Sequence, residues 1–266
     1  MSLILKINYL KIKNNQWTGS NEGVGGIGIY GGGGIVLIEE TEIFNNIGIA
    51  IKTLINSTGS VDINKCKIYG NQGYFTVYFN GFQNHEIPLK NTLIYNNISN
   101  VLIQINTGGL VLLNCTVVNN NTPNQSTSRL EFSGQSGIFN SIIGTNHIIS
   151  NQGNLKISKS LIKDGQSSVL GNISSVFLTY SNNISSNPMF VNEALHNYRL
   201  SDYSPAIGFG AAVNTINTLN YLAPTTDIEG NLRPNPAGSN PDLGAYENSF
   251  ATTQHNTIIY VASNGN

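Results

Sequence analysis

Short apolar segments that end in asparagine recur along the chain, and this recurrence constrains the fold more than any other feature. Each segment has a central apolar residue, and an asparagine or a glycine follows it three positions later. The central residues are Ile12, Ile43, Ile68, Ile94, Val117, Ile143 and Ile162, which are 19 to 31 residues apart. The residues three positions later are Asn15, Asn46, Asn71, Asn97, Asn120, Asn146 and Gly165. Repeats of this length are typical of solenoid proteins.

Apolar residues also alternate with other residues before most of the central positions. Ile38 and Val36, for example, lie five and seven positions before Ile43, and a second apolar segment at 49–51 follows the asparagine. A period of two is typical of a strand with one buried face, which argues against helical repeats. Fixed strand positions with loops of variable length predict an all-β chain that folds as a parallel β-helix. Each coil then pairs with the next at about 4.8 Å.

The recurring asparagines have a structural explanation in such a fold. A bend between two strands often needs a residue in the left-handed region, which asparagine and glycine tolerate. Asparagines at the same position of successive coils can also hydrogen-bond through their amides. We therefore predict an asparagine ladder formed by the six asparagines named above. We expect His85, Glu86 and His147 to be surface or turn residues.

The two cysteines share another recurring position, two residues before the central one. Cys66 and Cys115 lie two coils apart, with Thr92 in the coil between them. The sheet spacing puts them about 9–10 Å apart, whereas a disulfide requires Cα atoms within about 7 Å. We predict two free, buried thiols.

The composition argues against two classes of partner. Only 10% of the 266 residues are charged, and the net charge is −1. This balance gives no electrostatic reason to expect nucleic acid. No apolar stretch reaches about 18 residues, so we expect no insertion into a membrane.

Two segments in the second half carry a more specific pattern. They are NPMFVNEALHNYRLSDYSPAIGFG at 187–210 and TDIEGNLRPNPAGSNPDLGAYE at 226–247. Their elements N-P-x-F-V, S-P-A-I, D-I-x-G-x-x-R-P and D-x-G-A-Y-E resemble the ending of bacterial secreted and cell-surface proteins of the pectin-lyase-like superfamily. That resemblance implies a right-handed parallel β-helix and an extracellular or cell-surface location. It does not select an activity, because the superfamily includes polysaccharide lyases, glycosidases and uncharacterised surface proteins.

We divide the chain into three parts on this basis. Residues 3–185 are predicted to form the coils, and residues 186–249 an irregular C-terminal capping region. Residues 250–266 are predicted to be a tail that begins a following domain, with a strand at 256–262. The first coil begins without a preceding cap, so we expect a larger protein with neighbouring domains. In the capping region we expect Arg233 to pair with a carboxylate and to lock the last coil.

One outward position of the coils is aromatic in three successive copies. Phe44, Tyr69 and Tyr95 directly follow their central residues, and we predict an exposed strip with a step of about 4.8 Å. A sugar ring can stack on such a strip, which makes the three residues candidates for carbohydrate binding. The alternatives are stacking between neighbouring aromatic side chains, or cover by the loop at 80–88.

The acidic residues suggest a metal site. Glu39, Glu40 and Asp62 are candidate ligands for Ca²⁺, which binds several carboxylate and carbonyl oxygens. The alternative is ion pairing between coils, because lysines occupy aligned positions on adjacent coils. The aligned positions hold Lys11, Glu42 and Lys67 in one column and Tyr9, Glu40 and Lys65 in another. We therefore expect no cofactor, with calcium as the alternative.

Catalysis would need a basic residue or a pair of carboxyl groups. Lys67, Glu42 and Asp62 are the candidates, although Glu42 and Asp62 fall at different coil positions. Pectate lyases of the superfamily that the chain resembles combine calcium with a basic residue that removes a proton beside the uronate carboxylate. The glycine-rich segment at 23–34 lacks the Lys-Ser/Thr of a nucleotide-binding loop. We predict that its glycines lie at coil corners.

Two functions remain open from the sequence. The first is an extracellular or cell-surface β-helix module, carbohydrate-binding or structural and adhesive, with a polysaccharide as partner. The second is a polysaccharide lyase or glycoside hydrolase acting on an acidic polysaccharide. Its active site would lie on the outward face near Phe44, Tyr69, Lys67 and Glu42.

Overall fold

The fold is a stack of coils with three strands each. The computed structural model describes residues 4–19, 23–31, 33–55, 59–81, 86–124 and 127–255. Its strands are β1 (Ile4–Asn8), β2 (Lys11–Lys13), β3 (Val24–Gly31), β4 (Ile35–Glu39), β5 (Glu42–Phe44), β6 (Ile49–Ile55), β7 (Ser60–Asn64), β8 (Lys67–Tyr69), β9 (Gln72–Asn80), β10 (Glu86–Lys90), β11 (Leu93–Tyr95), β12 (Ile98–Ile105), β13 (Gly109–Leu113), β14 (Thr116–Val118), β15 (Ser128–Phe132), β16 (Gln135–Phe139), β17 (Ile142–Ile143), β18 (His147–Asn151), β19 (Asn154–Ser158), β20 (Leu161–Ile162), β21 (Val169–Gly171), β22 (Leu178–Ser181), β23 (Phe190–Asn192), β24 (Asn197–Leu200), β25 (Val213–Ile216) and β26 (Leu219–Leu222). Two short 3₁₀ helices lie at Gln166–Ser168 and Glu193–Leu195.

The first 22 strands form three parallel sheets. Sheet A contains every third strand from β1 to β22, sheet B runs from β2 to β20 and sheet C from β3 to β21. We number the coils from 1, so that coil 1 is β1–β3 and coil 7 is β19–β21. The predicted all-β, right-handed parallel β-helix is confirmed by these three long parallel sheets.

The predicted pairing register is also confirmed. Ile12 pairs with Ile43, Ile43 with Ile68, and the series continues through all seven central residues of sheet B. Ile38, Ile43 and Ile68 have no exposed surface and belong to one continuous core inside the three sheets. Burying each such side chain contributes about 1.5–3 kcal/mol. The predicted free, buried thiols of Cys66 and Cys115 are present in the same interior.

The asparagine ladder occupies the bend between sheets B and C. The side-chain amide of Asn15 donates to Asn46 Oδ1 at 3.0 Å, and Asn46 donates to Asn71 Oδ1 at 2.9 Å. The series continues from Asn71 to Asn97 at 3.0 Å and from Asn97 to Asn120 at 2.9 Å. Five of the six predicted asparagines therefore stack in one line.

The prediction is wrong for Asn146. The bend in coil 6 is one residue longer, so His147 takes the next position, with Nε2 3.4 Å from the Asn120 amide nitrogen. Asn146 is exposed and its backbone has φ 62. The expectation that His147 is a surface or turn residue is wrong as well, because it is buried. His85 lies outside the described residues, as does the predicted strand at 256–262.

The left-handed residue of this bend is the one before each ladder asparagine. Positive φ occurs at Asn14, Asn45, Gly70, Asn96 and Asn119. The ladder asparagines do not have positive φ. Their place is explained by their amide bonds, and the conformational argument applies to their neighbours.

The prediction that the glycines of the 23–34 segment lie at coil corners is confirmed for Gly33 and Gly34, which lie between β3 and β4, and is wrong for the glycines inside β3. Residues 24–31 form β3, and Gly25 and Gly26 lie where the next coil approaches closely. A Cβ atom at Gly25 would be 2.5 Å from Ile47 O, and one at Gly26 would be 2.1 Å from Ala50 O. The absence of side chains therefore permits backbone contact between coils 1 and 2.

The residues after β22 pack against the side of the solenoid. They include two antiparallel hairpins, β23–β24 and β25–β26. The predicted pairing of Arg233 with a carboxylate is present, because Arg233 Nε lies 2.7 Å from Glu247 Oε2. It does not lock the last coil, however, since Arg233 Nη1 donates to Asn91 Oδ1 in coil 4 at 2.8 Å.

Candidate functional site

The outward side chains of sheet B change character along the solenoid. The first outward column is charged in coils 1–3 and mostly apolar in coils 4–7: Lys11, Glu42, Lys67, Leu93, Thr116, Ile142 and Leu161. The second column begins Lys13, Phe44, Tyr69, Tyr95 and Val118. Exposure falls along both columns, and Leu93 and Tyr95 are already buried. The outer face of sheet B is therefore open in coils 1–3 and covered from coil 4 onwards.

The cover is the C-terminal region. Side chains of this region, including Tyr198, Leu243 and Tyr246, form a second apolar cluster with the outward residues of sheet B. A smaller cluster joins Ile216 to Val111, Leu113 and Phe139 on the outer face of sheet A. Apolar burial between the two parts fixes where the open face begins.

Three buried asparagines at the corner between sheets A and B bind this cover. Their side-chain amides donate to backbone oxygens of the C-terminal region: Asn91 to Thr226 at 2.9 Å, Asn114 to Asp242 at 2.9 Å and Asn140 to Ala211 at 2.8 Å. The three have positive φ, as do Tyr9, Glu40 and Lys65 at the same position of coils 1–3. Sequence reasoning missed this column. Its signal was an asparagine three residues before the central residue in coils 4, 5 and 6.

A buried ionic network holds the loop that borders the open face. Arg233 and Glu247 have no exposed side-chain surface, and Asp227 accepts from the backbone nitrogens of Glu229 and Asn231 at 2.8 and 2.9 Å. Asp242 accepts from the backbone nitrogens of Gly208 and Asn248. Burial and the nearby Glu247 carboxylate raise the pKa of Asp242 to about 7. These bonds position residues 228–230 beside sheet B.

A cleft of about 270 Å³ lies between this loop and coils 1–3. It is lined by Tyr9, Glu40, Glu42, Lys65, Lys67, Ile228, Glu229 and Gly230. Lys65 Nζ is 3.6 Å from Glu40 Oε1, and Lys11 Nζ is 3.7 Å from Glu42 Oε1. Among the described residues, no carboxylate lies within ion-pair distance of Lys67. We call this region the sheet B cleft.

The aromatic residues stack on one another beside the cleft. The ring centroids of Phe44 and Tyr69 are 4.7 Å apart with an angle of 6° between the planes, and those of Tyr69 and Tyr95 are 4.8 Å apart. Lys13 Nζ lies over the ring of Phe44 at 5.7 Å. The ring faces are therefore used within the column, and ring edges point outward. Phe44 and Tyr69 are half-buried.

Tyr95 differs from the expected exposed strip. It is buried beneath the C-terminal region, with ring centroids 5.3 Å from Tyr198 and 5.4 Å from His196. Burial, with a smaller effect of nearby Tyr198, raises its pKa to about 12. Burial and the Glu42 carboxylate, which accepts from the Tyr69 hydroxyl at 3.1 Å, also raise the pKa of Tyr69. Both hydroxyl groups are neutral at ordinary pH.

The remaining predicted site residues have lysine partners. Lys6 Nζ is 2.8 Å from Glu39 Oε2, and this hydrogen bond lowers the pKa of Glu39. Lys90 Nζ is 2.6 Å from Asp62 Oδ2. No group of three His, Cys, Asp or Glu residues that could hold a metal ion occurs in the described part of the chain.

The structure brings together only some of the candidate catalytic residues. Glu42 and Lys67 are register neighbours in sheet B, at the cleft. Asp62 is in β7 of sheet A, so Glu42 and Asp62 belong to different sheets. Among the candidate catalytic residues, the geometry therefore favours the pair Glu42 and Lys67 over Asp62.

No protein-family model matches the chain, and no curated protein is significantly similar to it. Within the described residues there is no helix long and apolar enough to cross a membrane.

Proposed function

We propose that the chain is an extracellular or cell-surface β-helix module that binds an acidic carbohydrate at the sheet B cleft. The proposal includes its membership in the pectin-lyase-like superfamily and its place in a larger protein. One observation carries the binding role. Lys13 and Lys67 flank half-buried aromatic rings on the one stretch of sheet B that the C-terminal region leaves open, and neither has a described carboxylate partner within ion-pair distance.

The arrangement suits a ligand that combines negative charge with a flat apolar surface. Lys13 and Lys67 stand two coils apart, which is about 10 Å along the solenoid. Between them, the edges of Phe44 and Tyr69 offer apolar contact, and Tyr95 supports the column from beneath the cover. A chain of carboxylated sugars presents charges and ring C–H groups in this alternating way.

The expected affinity for one such site is modest. An exposed charge pair contributes about 0.2–1 kcal/mol, and salt weakens it because the screening length at 0.1 M is about 10 Å. Stable attachment to a polysaccharide would come from several sites acting together. This is the behaviour expected of an adhesive surface module.

The test is a calorimetric titration of the protein with oligogalacturonate at low and at high salt. Lys67→Ala should weaken binding by about 1.4- to fivefold, the factor for loss of one exposed charge contact. Lys52→Ala, on sheet C, removes the same charge from another face and should change nothing. Poly-glutamate supplies charge without sugar rings and should bind more weakly. Equal effects of the two substitutions, or equal binding of poly-glutamate, would refute carbohydrate recognition at this cleft.

A polysaccharide lyase is the second candidate, favoured by the place of Lys67 beside Glu42 in the cleft. A lyase needs a base that removes a proton beside the uronate carboxylate. Incubation with oligogalacturonate, with and without Ca²⁺, would then produce an unsaturated sugar that absorbs in the ultraviolet. Turnover that is lost in Lys67→Ala would replace the binding proposal by the enzymatic one. The separation of Glu42 and Asp62 into different sheets gives a two-carboxylate hydrolase no comparable support.

A further inference from the structure

A second groove lies at the opposite corner of sheet B, where the chain enters sheet C. Its volume is about 330 Å³. It is lined by Trp17, Gly19, Ile47, Gly48, Gln72, Gly73, Tyr74, Asn100 and Pro123. None of these residues lines the sheet B cleft, and none carries a formal charge at neutral pH. We call this region the Trp17 groove.

The groove presents two large aromatic side chains to solvent. Trp17 is 46% exposed and Tyr74 is 40% exposed. Coil register places Trp17 beside Gly48 and Gly48 beside Gly73, so Trp17 and Tyr74 are about two coils, or roughly 10 Å, apart along the solenoid. Exposed aromatic residues in a concave site, with a few polar groups, are typical of ligand pockets.

Glycines leave the space that Trp17 occupies. The backbone nitrogen of Trp17 donates to Ile47 O at 2.9 Å. A Cβ atom at Gly23 would lie 1.9 Å from the indole, and one at Gly19 would lie 2.8 Å from it. Gly48 has φ 117, and its Cβ would be 3.1 Å from Trp17 Cβ. Three positions are thus free of side chains where the tryptophan lies, and its ring lies close to backbone while nearly half exposed.

Backbone forms part of the floor between the two aromatic residues. A Cβ atom at Gly73 would be 2.8 Å from Gly48 O, so backbone forms this surface directly. Tyr74 is supported from the side by Phe75, whose ring meets it edge-on at 4.7 Å. A preformed, rigid surface lowers the ordering cost of binding.

We propose that the Trp17 groove binds a neutral oligosaccharide. Ring C–H groups of a sugar pack on the faces of Trp17 and Tyr74, and its hydroxyl groups pair with Gln72 and Asn100. A carboxamide both donates and accepts hydrogen bonds, as a hydroxyl does. None of the described residues that line the groove carries a charge to pair with an ionic ligand, and a purely apolar ligand would leave both amides without partners on desolvation.

A proline-rich peptide is the competing ligand for an aromatic groove. Proline residues offer carbonyl oxygens but no N–H, so the amide oxygens of Gln72 and Asn100 would lack donors. The observations therefore favour the sugar. This site is separate from the sheet B cleft and does not depend on the function proposed there.

The single tryptophan of the chain makes the test direct. Fluorescence excited selectively at Trp17 is recorded while xylohexaose, cellohexaose or mannohexaose is added to the intact protein. We expect a saturable change with at least one of them, little salt dependence, and protection of Trp17 from acrylamide quenching. No response to any of the three, or a response only to decaproline, would overturn the proposal.

Variants locate the site and separate it from the other one. Measured by calorimetry, Trp17→Ala should weaken binding about tenfold or more, and Tyr74→Ala and Gln72→Ala by smaller factors. Tyr30→Ala removes an exposed tyrosine outside the groove and should have no effect. Lys67→Ala should leave neutral sugars bound, so failure of one site is distinguishable from failure of the other. Quenching protection in the unaltered protein keeps the test decisive if Trp17→Ala does not fold. Binding unchanged by Trp17→Ala would refute the assignment.

Discussion

The asparagine ladder makes a quantitative prediction about Asn71, its third member. The Asn71 amide donates to Asn97 Oδ1, Ile43 O and Tyr69 O at 3.0, 2.8 and 3.1 Å. Its oxygen accepts from the backbone and side-chain nitrogens of Asn46 at 3.1 and 2.9 Å. The side chain is 1% exposed, so water cannot replace these partners without opening the core. Asn71→Ala therefore removes five hydrogen bonds, of which four are fully buried.

The loss in the free energy of unfolding depends on which buried groups lose their hydrogen-bond partners. The buried backbone N–H of Asn46 loses the partner that the structure gives it, which costs about 1–3 kcal/mol, and the other lost bonds are worth about 1 kcal/mol each where no substitute forms. Asn97 Oδ1 keeps the backbone nitrogen of Asn71, and Tyr69 O keeps that of Asn45. A total loss of about 3–5 kcal/mol in the free energy of unfolding is expected.

Two matched substitutions separate the ladder from a turn preference. Asn15 is the exposed first member, and Asn15→Ala removes one amide bond, so we expect a loss of about 0.5–1 kcal/mol. Asn45 is exposed with φ 53, and Asn45→Gly should be close to neutral because glycine adopts this conformation readily. Asn71→Gly should be as damaging as Asn71→Ala. A turn preference alone would make both glycine variants tolerable.

Equilibrium unfolding in urea, monitored by circular dichroism, measures these differences in the free energy of unfolding. Solenoids can unfold in segments, so the urea dependence of each variant is compared before free energies are subtracted. If Asn71→Ala and Asn15→Ala lose the same amount within about 1 kcal/mol, at equal urea dependence, the ladder does not stabilise the fold as argued.

Two other predictions concern buried charged or titratable groups. Burial lowers the pKa of His147, and its hydrogen bond to Gly144 O and, less strongly, the Asp164 carboxylate oppose this. The ring donates to Gly144 O and accepts from the Asn120 amide. Its folded pKa lies below its unfolded value, so stability is present above about pH 6.5 and is lost as pH falls through the folded pKa. His147→Asn should flatten that acid loss in urea titrations at several pH values, and an unchanged profile would contradict it. Arg233→Lys cannot keep all three bonds to Glu247, Asn91 and Gly244, so it should loosen the C-terminal cover and increase binding of a hydrophobic dye. Dye binding equal to that of the unaltered protein would refute this prediction. The control is Arg129→Lys, which alters an exposed ion pair and should leave dye binding unchanged.

The coil register was predictable because it depends on local pattern. Alternation with a period of two identifies the buried face of each strand, and the central residues then align without knowledge of the loops. The paired asparagines were harder to interpret. In Asn45–Asn46 and Asn96–Asn97 the first residue supplies the left-handed bend and the second the ladder amide. One residue type fills both places, so the sequence does not say which member has which role.

The place of the C-terminal region could not be derived from local pattern. Its bonds join residues more than a hundred positions apart, as between Asn91 and Arg233. One signal was nevertheless present in the aligned coils. The first outward column of sheet B changes from lysine and glutamate to leucine and isoleucine at Leu93, and an apolar outward face requires a cover.

The change from charged to apolar outward residues at Leu93 also explains the position of the sheet B cleft. An uncovered coil 4 would expose Leu93 and Tyr95, and a cover extended over coil 2 would bury Glu42 and Lys67. Burying charges without good partners costs several kcal/mol each, whereas leaving them in water costs nothing. Solvation therefore favours an edge of the cover between Lys67 and Leu93, and the hydrogen bond from Asn91 to Thr226 O holds it there. The sheet B cleft lies at this edge, between the loop at 228–230 and Lys67 of coil 3.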